Sequence, residues 1–191
     1  MAKKRLTRDD WIDAAIEVLL SGGGIYHVRV DNLAKQLGIT RGSFYYHFDS
    51  REELLKAMLD KWRAKATESV IAGLQHKYKT PQEQLQNLAE LPLKGQRAFD
   101  AASTELALRG WARRDQMARA TLEEIDKYRT AFIQNLFTEM GHSPEKAADL
   151  AFLFYSYMQM TSLLPTELKS DAARERGKRI TALLTDLITN Q

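Results

Sequence analysis

The residues whose types and spacing could do chemistry are concentrated between Arg29 and Arg51, and they are hydrogen-bonding side chains rather than nucleophiles or metal ligands. In the run Thr40-Arg41-Gly42-Ser43-Phe44-Tyr45-Tyr46-His47-Phe48, Phe44 and Phe48 stand four apart and point one way on a helix. Arg41, Gly42, Ser43, Tyr45, Tyr46 and His47 are left for the other sides. Arginine is the side chain best suited to a bidentate contact with guanine O6 and N7. Arg41 and Ser43, at the start of the helix, are therefore read as entering a major groove first. Gly42 offers close backbone approach or room for a thymine methyl, and Tyr46 can reach a base edge or a methyl. Thr40 is placed to cap the helix and to touch phosphate. On shape alone, an ordinary helical hairpin with a wet polar face is the alternative.

Bond-making chemistry finds no such constellation. The chain has no cysteine, no G-x-S-x-G elbow and no H-E-x-x-H pair. Gly22-Gly23-Gly24 is not followed by the Lys-Ser/Thr of a phosphate loop. His47 shares no ligand spacing with His27, His76 or His142. Neither an enzyme, nor a metal, nor a cofactor is expected. Glu123, Glu124 and Asp126 read as a solvated helix face.

The elements that must position the 40–48 run are legible. Val30, Leu33, Ala34 and Leu37 fall at i, i+3, i+4, i+7 and make one apolar helical face. Gly38 ends that helix in the left-handed conformation only glycine adopts freely, and Ile39 plugs the turn. Two short helices around a glycine turn, with an Arg/Tyr/His outer side, predict a helix-turn-helix. An earlier helix over about Thr7–Ser21, opened by a Thr7/Asp10 capping box, brings Ile12, Ala15, Ile16 and Leu19 to close a three-helix core. Lys3, Lys4, Arg5 and Arg8 ahead of it read as a solvated arm, with a groove contact as the sharper alternative.

The stretch Leu33-Ala34 … Leu37-Gly38-Ile39-Thr40-Arg41-Gly42-Ser43-Phe44-Tyr45-Tyr46-His47-Phe48 … Arg51-Glu52-Glu53-Leu54 resembles the DNA-binding region of TetR-family (TetR/AcrR-type) transcriptional regulators. The likeness covers roughly residues 7–62 and is looser beyond, where Glu105-Leu106-Ala107-Leu108-Arg109-Gly110-Trp111 is one matching segment. The resemblance implies that Tyr45 and His47 contact phosphate and sugar and that Arg51 clamps a phosphate. Where the family usually carries Ser or Thr, this chain has Val28-Arg29, so Arg29 would supply that phosphate contact. The resemblance also implies a homodimer and a small-molecule cavity in the C-terminal half. Phe99, Trp111, Met117, Tyr128, Phe132, Tyr155 and Met158 are the side chains that would suit such a pocket.

The rest of the chain reads as all-α, with about nine helices and no strand. A three-helix DNA-binding domain over 1–50 leads into a connecting helix over 51–76. That helix opens with a Ser50/Glu53 capping box and carries Leu55, Met58, Leu59 and Trp62. A ligand-sensing and dimerisation domain occupies 77–191. Its helices run from the Thr80-Pro81 start to Pro92, over about Lys94–Arg113 and Gln116–Met140, from Ser143-Pro144 to Leu164, and over Asp171–Thr189. LAFLFYSYMQM, residues 150–160, is apolar nearly all round and needs a cover on every side. With the stripe Leu183, Leu184, Leu187 near the end, this predicts a dimer through Phe152, Tyr157 and that stripe, as a four-helix bundle from two copies. A central helix buried within a monomer is the alternative.

Charge supports the division. Residues 1–66 carry 12 Lys/Arg against 9 Asp/Glu, whereas the remainder carries 16 of each. The excess lies where phosphate attraction would need it. The basic start is followed by no apolar run, and no membrane span is expected. Cysteine-free composition suits a cytoplasmic setting. The partners expected are double-stranded DNA with a palindromic operator, a second copy, and an unidentified small-molecule effector. A dimeric DNA-binding or architectural protein without an effector is the competing reading.

Overall fold

A computed structural model describes residues 6–163 and 170–189. Among these, all regular structure is helical. Helix α1 (Arg8–Val18) starts with the capping box expected at Thr7, whose hydroxyl accepts from the Asp10 amide while the Asp10 carboxylate accepts from the Thr7 amide. It gives way to a wide π turn, Leu19–Gly23, before Gly24 turns the chain at φ +62°. Helix α2 (Val30–Gln36) buries Leu33 and Ala34 and ends at Gly38, whose φ of +66° is the predicted left-handed stop.

The next segment, Arg41–Tyr46, is a tight 3₁₀ turn rather than the expected second α-helix. Helix α3 (Arg51–Arg63) follows, with the Ser50 hydroxyl accepting from the Glu53 amide at 3.1 Å. The Glu53 carboxylate reaches one residue further back than a capping box requires, to the Asp49 amide at 2.7 Å. A π turn, Ala64–Glu68, carries α3 into α4 (Ser69–Lys77). The connector is thus helical from 51 to 77, with one widened turn in its middle.

Helix α5 (Pro81–Glu90) begins with a full Thr80/Glu83 capping box and proline in its first turn. A 3₁₀ turn at Leu91–Leu93 precedes α6 (Gly95–Ala112). Asp115 caps α7 (Gln116–Glu139) by accepting from the Ala118 amide at 2.9 Å. Helices α8 (Pro144–Leu163) and α9 (Asp171–Thr189) complete the described chain.

Two apolar cores result. The first gathers Trp11, Leu33, Phe44, Phe48, Leu54 and Met58 from the N-terminal segment, but also Leu108 and Trp111 of α6 and Leu122 and Ile125 of α7. The second joins Ile71 and Leu74 of α4 and Leu85 of α5 to Phe132, Leu136 and Phe137 of α7 and Phe154 of α8. Helix α7, about 36 Å long at 1.5 Å per residue, runs through both. The core of the N-terminal segment, residues 8–50 (the head), therefore takes in residues of α6 and α7 and does not close on itself at residue 50.

Candidate nucleic-acid interface

The 41–47 segment is anchored from beneath. Phe44 and Phe48 are buried and stacked with ring centroids 5.4 Å apart, and Trp11 of α1 meets Phe44 edge-on at 5.2 Å. Aromatic pairs in these geometries add to the area they bury, so the segment's outer side is presented on a fixed base. That side carries Tyr46, 88% exposed, with Tyr45, Arg41 and Gly42 also exposed and Ser43 and His47 half-buried. Arg41 leans on its own neighbours, with Nε 3.6 Å from the Asp31 carboxylate and Nη2 3.5 Å from the Tyr45 hydroxyl. Both contacts are long and wet, and surface pairs of this kind contribute little. Nothing holds Arg41 back from a stronger acceptor.

Thr40 does not cap. In the 3₁₀ turn the Ser43 amide already bonds the Thr40 carbonyl at 3.1 Å, and the Thr40 hydroxyl lies 3.4 Å from that of Ser43 instead. Arg29 occupies the cap position of α2 without a side-chain cap; its Nε donates to the Tyr26 carbonyl at 3.2 Å, and the residue is exposed.

Arg51 departs most from its expected role. Its Nε donates to the Val28 carbonyl at 2.6 Å and its Nη2 to the Ile25 carbonyl at 2.9 Å. The guanidinium therefore holds the loop that leads into α2, a structural duty that leaves only Nη1 without a described contact. Arg8 is likewise engaged, paired with Glu53 at 2.7 Å and lying 4.4 Å over the Phe48 ring. Lys3, Lys4 and Arg5 fall outside the described residues.

The seven pocket candidates are dispersed. Trp111 and Met117 belong to the first core, Phe132, Tyr155 and Met158 to the second, Tyr128 is 46% exposed, and Phe99 is half-buried. The resemblance and their aromatic or polarizable character group them, but they come from α6, α7 and α8, and packing divides most of them between the two cores. Of the proposed dimer residues, Phe152 (68%) and Leu183 (61%) are largely exposed, as are their neighbours Leu153 and Met160, while Tyr157 and Leu184 are half-buried. The side chain of Leu187 lies outside the described residues.

Between the two cores is an ionic cluster that the sequence reading missed. Glu105 of α6 is buried and accepts from Arg109 at 2.7 Å and from Arg129 at 3.0 Å. Arg109 also forks onto Asp126 at 3.0 and 2.7 Å, and the Tyr155 hydroxyl donates to the same carboxylate. Asp126 is therefore not a solvated residue. Burial works against its charge, but the hydrogen bonds from Arg109 and Tyr155 hold its pKa below the ordinary aspartate value. Burial pushes the Tyr155 phenol upward, and its bond to Asp126 adds to the shift.

Arg129 extends the cluster to the connector. Its Nε donates to the Thr67 hydroxyl at 2.9 Å and its Nη2 to the Ala66 carbonyl at 3.2 Å, with the guanidinium 5.3 Å over Trp62. Both acceptors lie in the π turn. The available signal was the spacing Glu105/Arg109 and Asp126/Arg129, one helical turn in each case.

Residues 12–58 match the family described as bacterial regulatory proteins, tetR family. A 58-residue segment is 40% identical to the HTH-type transcriptional regulator TtgW of Pseudomonas putida, covering 30% of this chain and 42% of that protein. The chain thus matches less than half the length of this curated relative. Among solved structures, a transcriptional regulator from Saccharomonospora viridis in complex with choline superposes with a TM-score of 0.74 at 18% identity, covering 96% of both chains. Bacillus subtilis FadR in complex with stearoyl-CoA gives 0.67 at 22% identity, covering 94% of this chain and 98% of that one. At such identities the structural likeness establishes the shared all-α fold. The tetR-family match is thus confined to residues 12–58, the segment that sets the buried Phe44/Phe48 base beneath an open Arg/Tyr/His face.

Proposed function

We propose that the protein is a dimeric, sequence-specific DNA-binding repressor, released from a palindromic operator when a small molecule binds its C-terminal half. The observation that carries the reading is the exposed Arg41–His47 face held on a buried aromatic base, within the segment that matches the family. Two such heads related by a two-fold axis would meet successive major grooves. Arg41 and Ser43, with Tyr46, serve the base edges; Gly42 allows close approach. Tyr45, His47, Thr40 and Arg29 serve the backbone, which positions the protein without specifying sequence.

Dimerisation is assigned to α8 and α9, on which Phe152, Leu153, Met160 and Leu183 are exposed; large exposed apolar side chains are what a second copy would cover. The choline and stearoyl-CoA of the two solved structures belong to those proteins; what carries over is a small-molecule-responsive body. No helix among the described residues is long and apolar enough to cross a membrane, in keeping with the cytoplasmic setting assigned to a DNA-bound regulator. The assignment is to a binding protein and not to an enzyme.

The test is fluorescence anisotropy of the protein on DNA from upstream of its own coding region, against random duplex, across a salt series. Selective binding that weakens with salt supports the assignment. Equal affinity for all duplexes at moderate salt overturns it.

A further inference from the structure

We propose that the effector is taken up in the cleft between the reading head and α6, and that it is a small aromatic carboxylate. The proposal rests on the ligand-responsive reading, names a ligand class for it, and moves the ligand from the C-terminal half to that half's junction with the N-terminal segment. The cleft encloses about 440 Å³, within the range of small-molecule sites, roughly 300–1,000 Å³. Its walls come from both sides of the head–body junction. Leu19, Ile25 and Leu55 belong to the head, and Trp111 and Arg114 to the end of α6 or just beyond it.

The chemistry of the lining selects the ligand. Leu19, Ile25, Leu55 and Trp111 supply an apolar wall, and Tyr26, 62% exposed, adds a second aromatic ring. Two cations, Arg51 and Arg114, face the same space. Arg114 is exposed and has no salt-bridge partner among the described residues. The one acid of the lining, Asp115, is committed to the Ala118 amide at the start of α7, where negative charge is already favoured. A flat apolar body with a single carboxylate matches this arrangement; forked guanidinium recognition of a carboxylate is strong and geometrically selective.

The same cleft has a route to the DNA-binding face. Arg51 holds the carbonyls of Ile25 and Val28 at the entry to α2. A ligand carboxylate competes for those donors, so occupancy loosens the loop that sets α2 against the 41–46 turn. A ligand shifts a conformational equilibrium only through differential affinity, and a site shared by head and body changes shape whenever the head tilts.

The experiment titrates the full-length protein with 2-naphthoate and its neutral isostere 2-naphthamide by calorimetry, in the parent and in Gly110→Trp and Arg114→Ala. Gly110 lines the cleft, and a Cβ there meets no atom within 4 Å, so the indole fills the space rather than breaking the helix. Thermal melts verify that each variant is folded, and Arg114→Ala tests the site should Gly110→Trp misfold. The expected result is one naphthoate per chain, at least tenfold weaker binding of the amide, no binding to Gly110→Trp, and at least fivefold weaker binding to Arg114→Ala. Naphthoate also lowers the DNA affinity of the parent and leaves that of Gly110→Trp unchanged. No binding of naphthoate to the parent, equal binding of acid and amide, or binding untouched by both substitutions overturns the proposal. A different molecule that releases DNA from Gly110→Trp as well as from the parent would overturn the cleft while leaving the repressor standing. Failure to bind any DNA selectively would overturn the repressor, whatever the calorimetry shows.

Discussion

Two arginines ten positions apart have different work despite their common charge. Arg41 is exposed and weakly held, so it is available to a base edge. Arg41→Ala should cost about 1–3 kcal/mol of discrimination at one base pair, read from the affinities of single-base operator variants, while the DNA-free protein melts as the parent does. Arg51 is already spent on two backbone carbonyls. Arg51→Ala strands both acceptors in a part-buried loop and should cost about 1–3 kcal/mol of folding stability, seen as a lower melting temperature without DNA. Arg51→Lys should recover little, because an ammonium lacks the planar fork that reaches both carbonyls. An unchanged melting temperature with a flatter salt dependence of DNA binding would return Arg51 to the phosphate role.

At the scale of elements, the connector is held by what grips its widened turn. A π turn leaves its carbonyls poorly placed for the ordinary ladder and is frequently found at functional positions. Here Arg129 of α7 serves Ala66 and Thr67 while pairing with Glu105 of α6. Arg129→Met should destabilise the protein by about 3–5 kcal/mol, since it leaves part of a buried ion pair uncompensated; Glu105→Gln in the same background should restore part of that loss in a denaturant titration. The cluster also predicts how stability varies with pH. Asp126 is held below its ordinary value of 3.8, so its contribution is complete above that pH and is lost as the pH falls through the lower folded value. Tyr155 is held above its ordinary 10.0, so its contribution is complete below that pH and fades as the pH climbs through the higher folded value. Asp126→Asn should flatten the acid limb of a stability–pH curve and reduce the alkaline limb without abolishing it, because burial still raises the Tyr155 phenol when the carboxylate is gone.

For the whole molecule, the exposed apolar residues of α8 and α9 matter most. Phe152→Asp with Leu183→Asp should yield a folded monomer in sedimentation velocity, because both sites are largely exposed and the substitutions remove surface contacts rather than core. Operator affinity should then fall steeply, with the second half-site no longer held near the first. A dimer that survived the double substitution would move the interface elsewhere. Continuity between the N-terminal segment and the long α7 would give the proposed dimer a means to set the spacing of its heads. The first core takes in Leu122 and Ile125 of the same helix that reaches Phe137 in the second, so displacement of one end is transmitted along one helix.

Much of this architecture follows from local rules. The caps at Thr7 and Thr80, the left-handed stop at Gly38 and the apolar spacing of residues 30–48 each depend on groups within a turn of one another, so the order of the helices was legible in the sequence, while the 3₁₀ turn at Arg41–Tyr46 and the π turns were not. The two short segments around the glycine turn were legible for the same reason, with an exposed Arg/Tyr/His side opposite Phe44 and Phe48, but the second is a 3₁₀ turn and not the expected α-helix. What each long polar side chain does with its donors was decided only by the tertiary structure. Arg51 meets carbonyls 23 and 26 positions earlier, and Arg129 meets Thr67 from 62 positions away. No spacing rule reaches across such separations: partners that distant are set by how helices pack, and packing assigned Asp126 and Tyr155 to a shared cluster and Trp111 to the cleft beside the head.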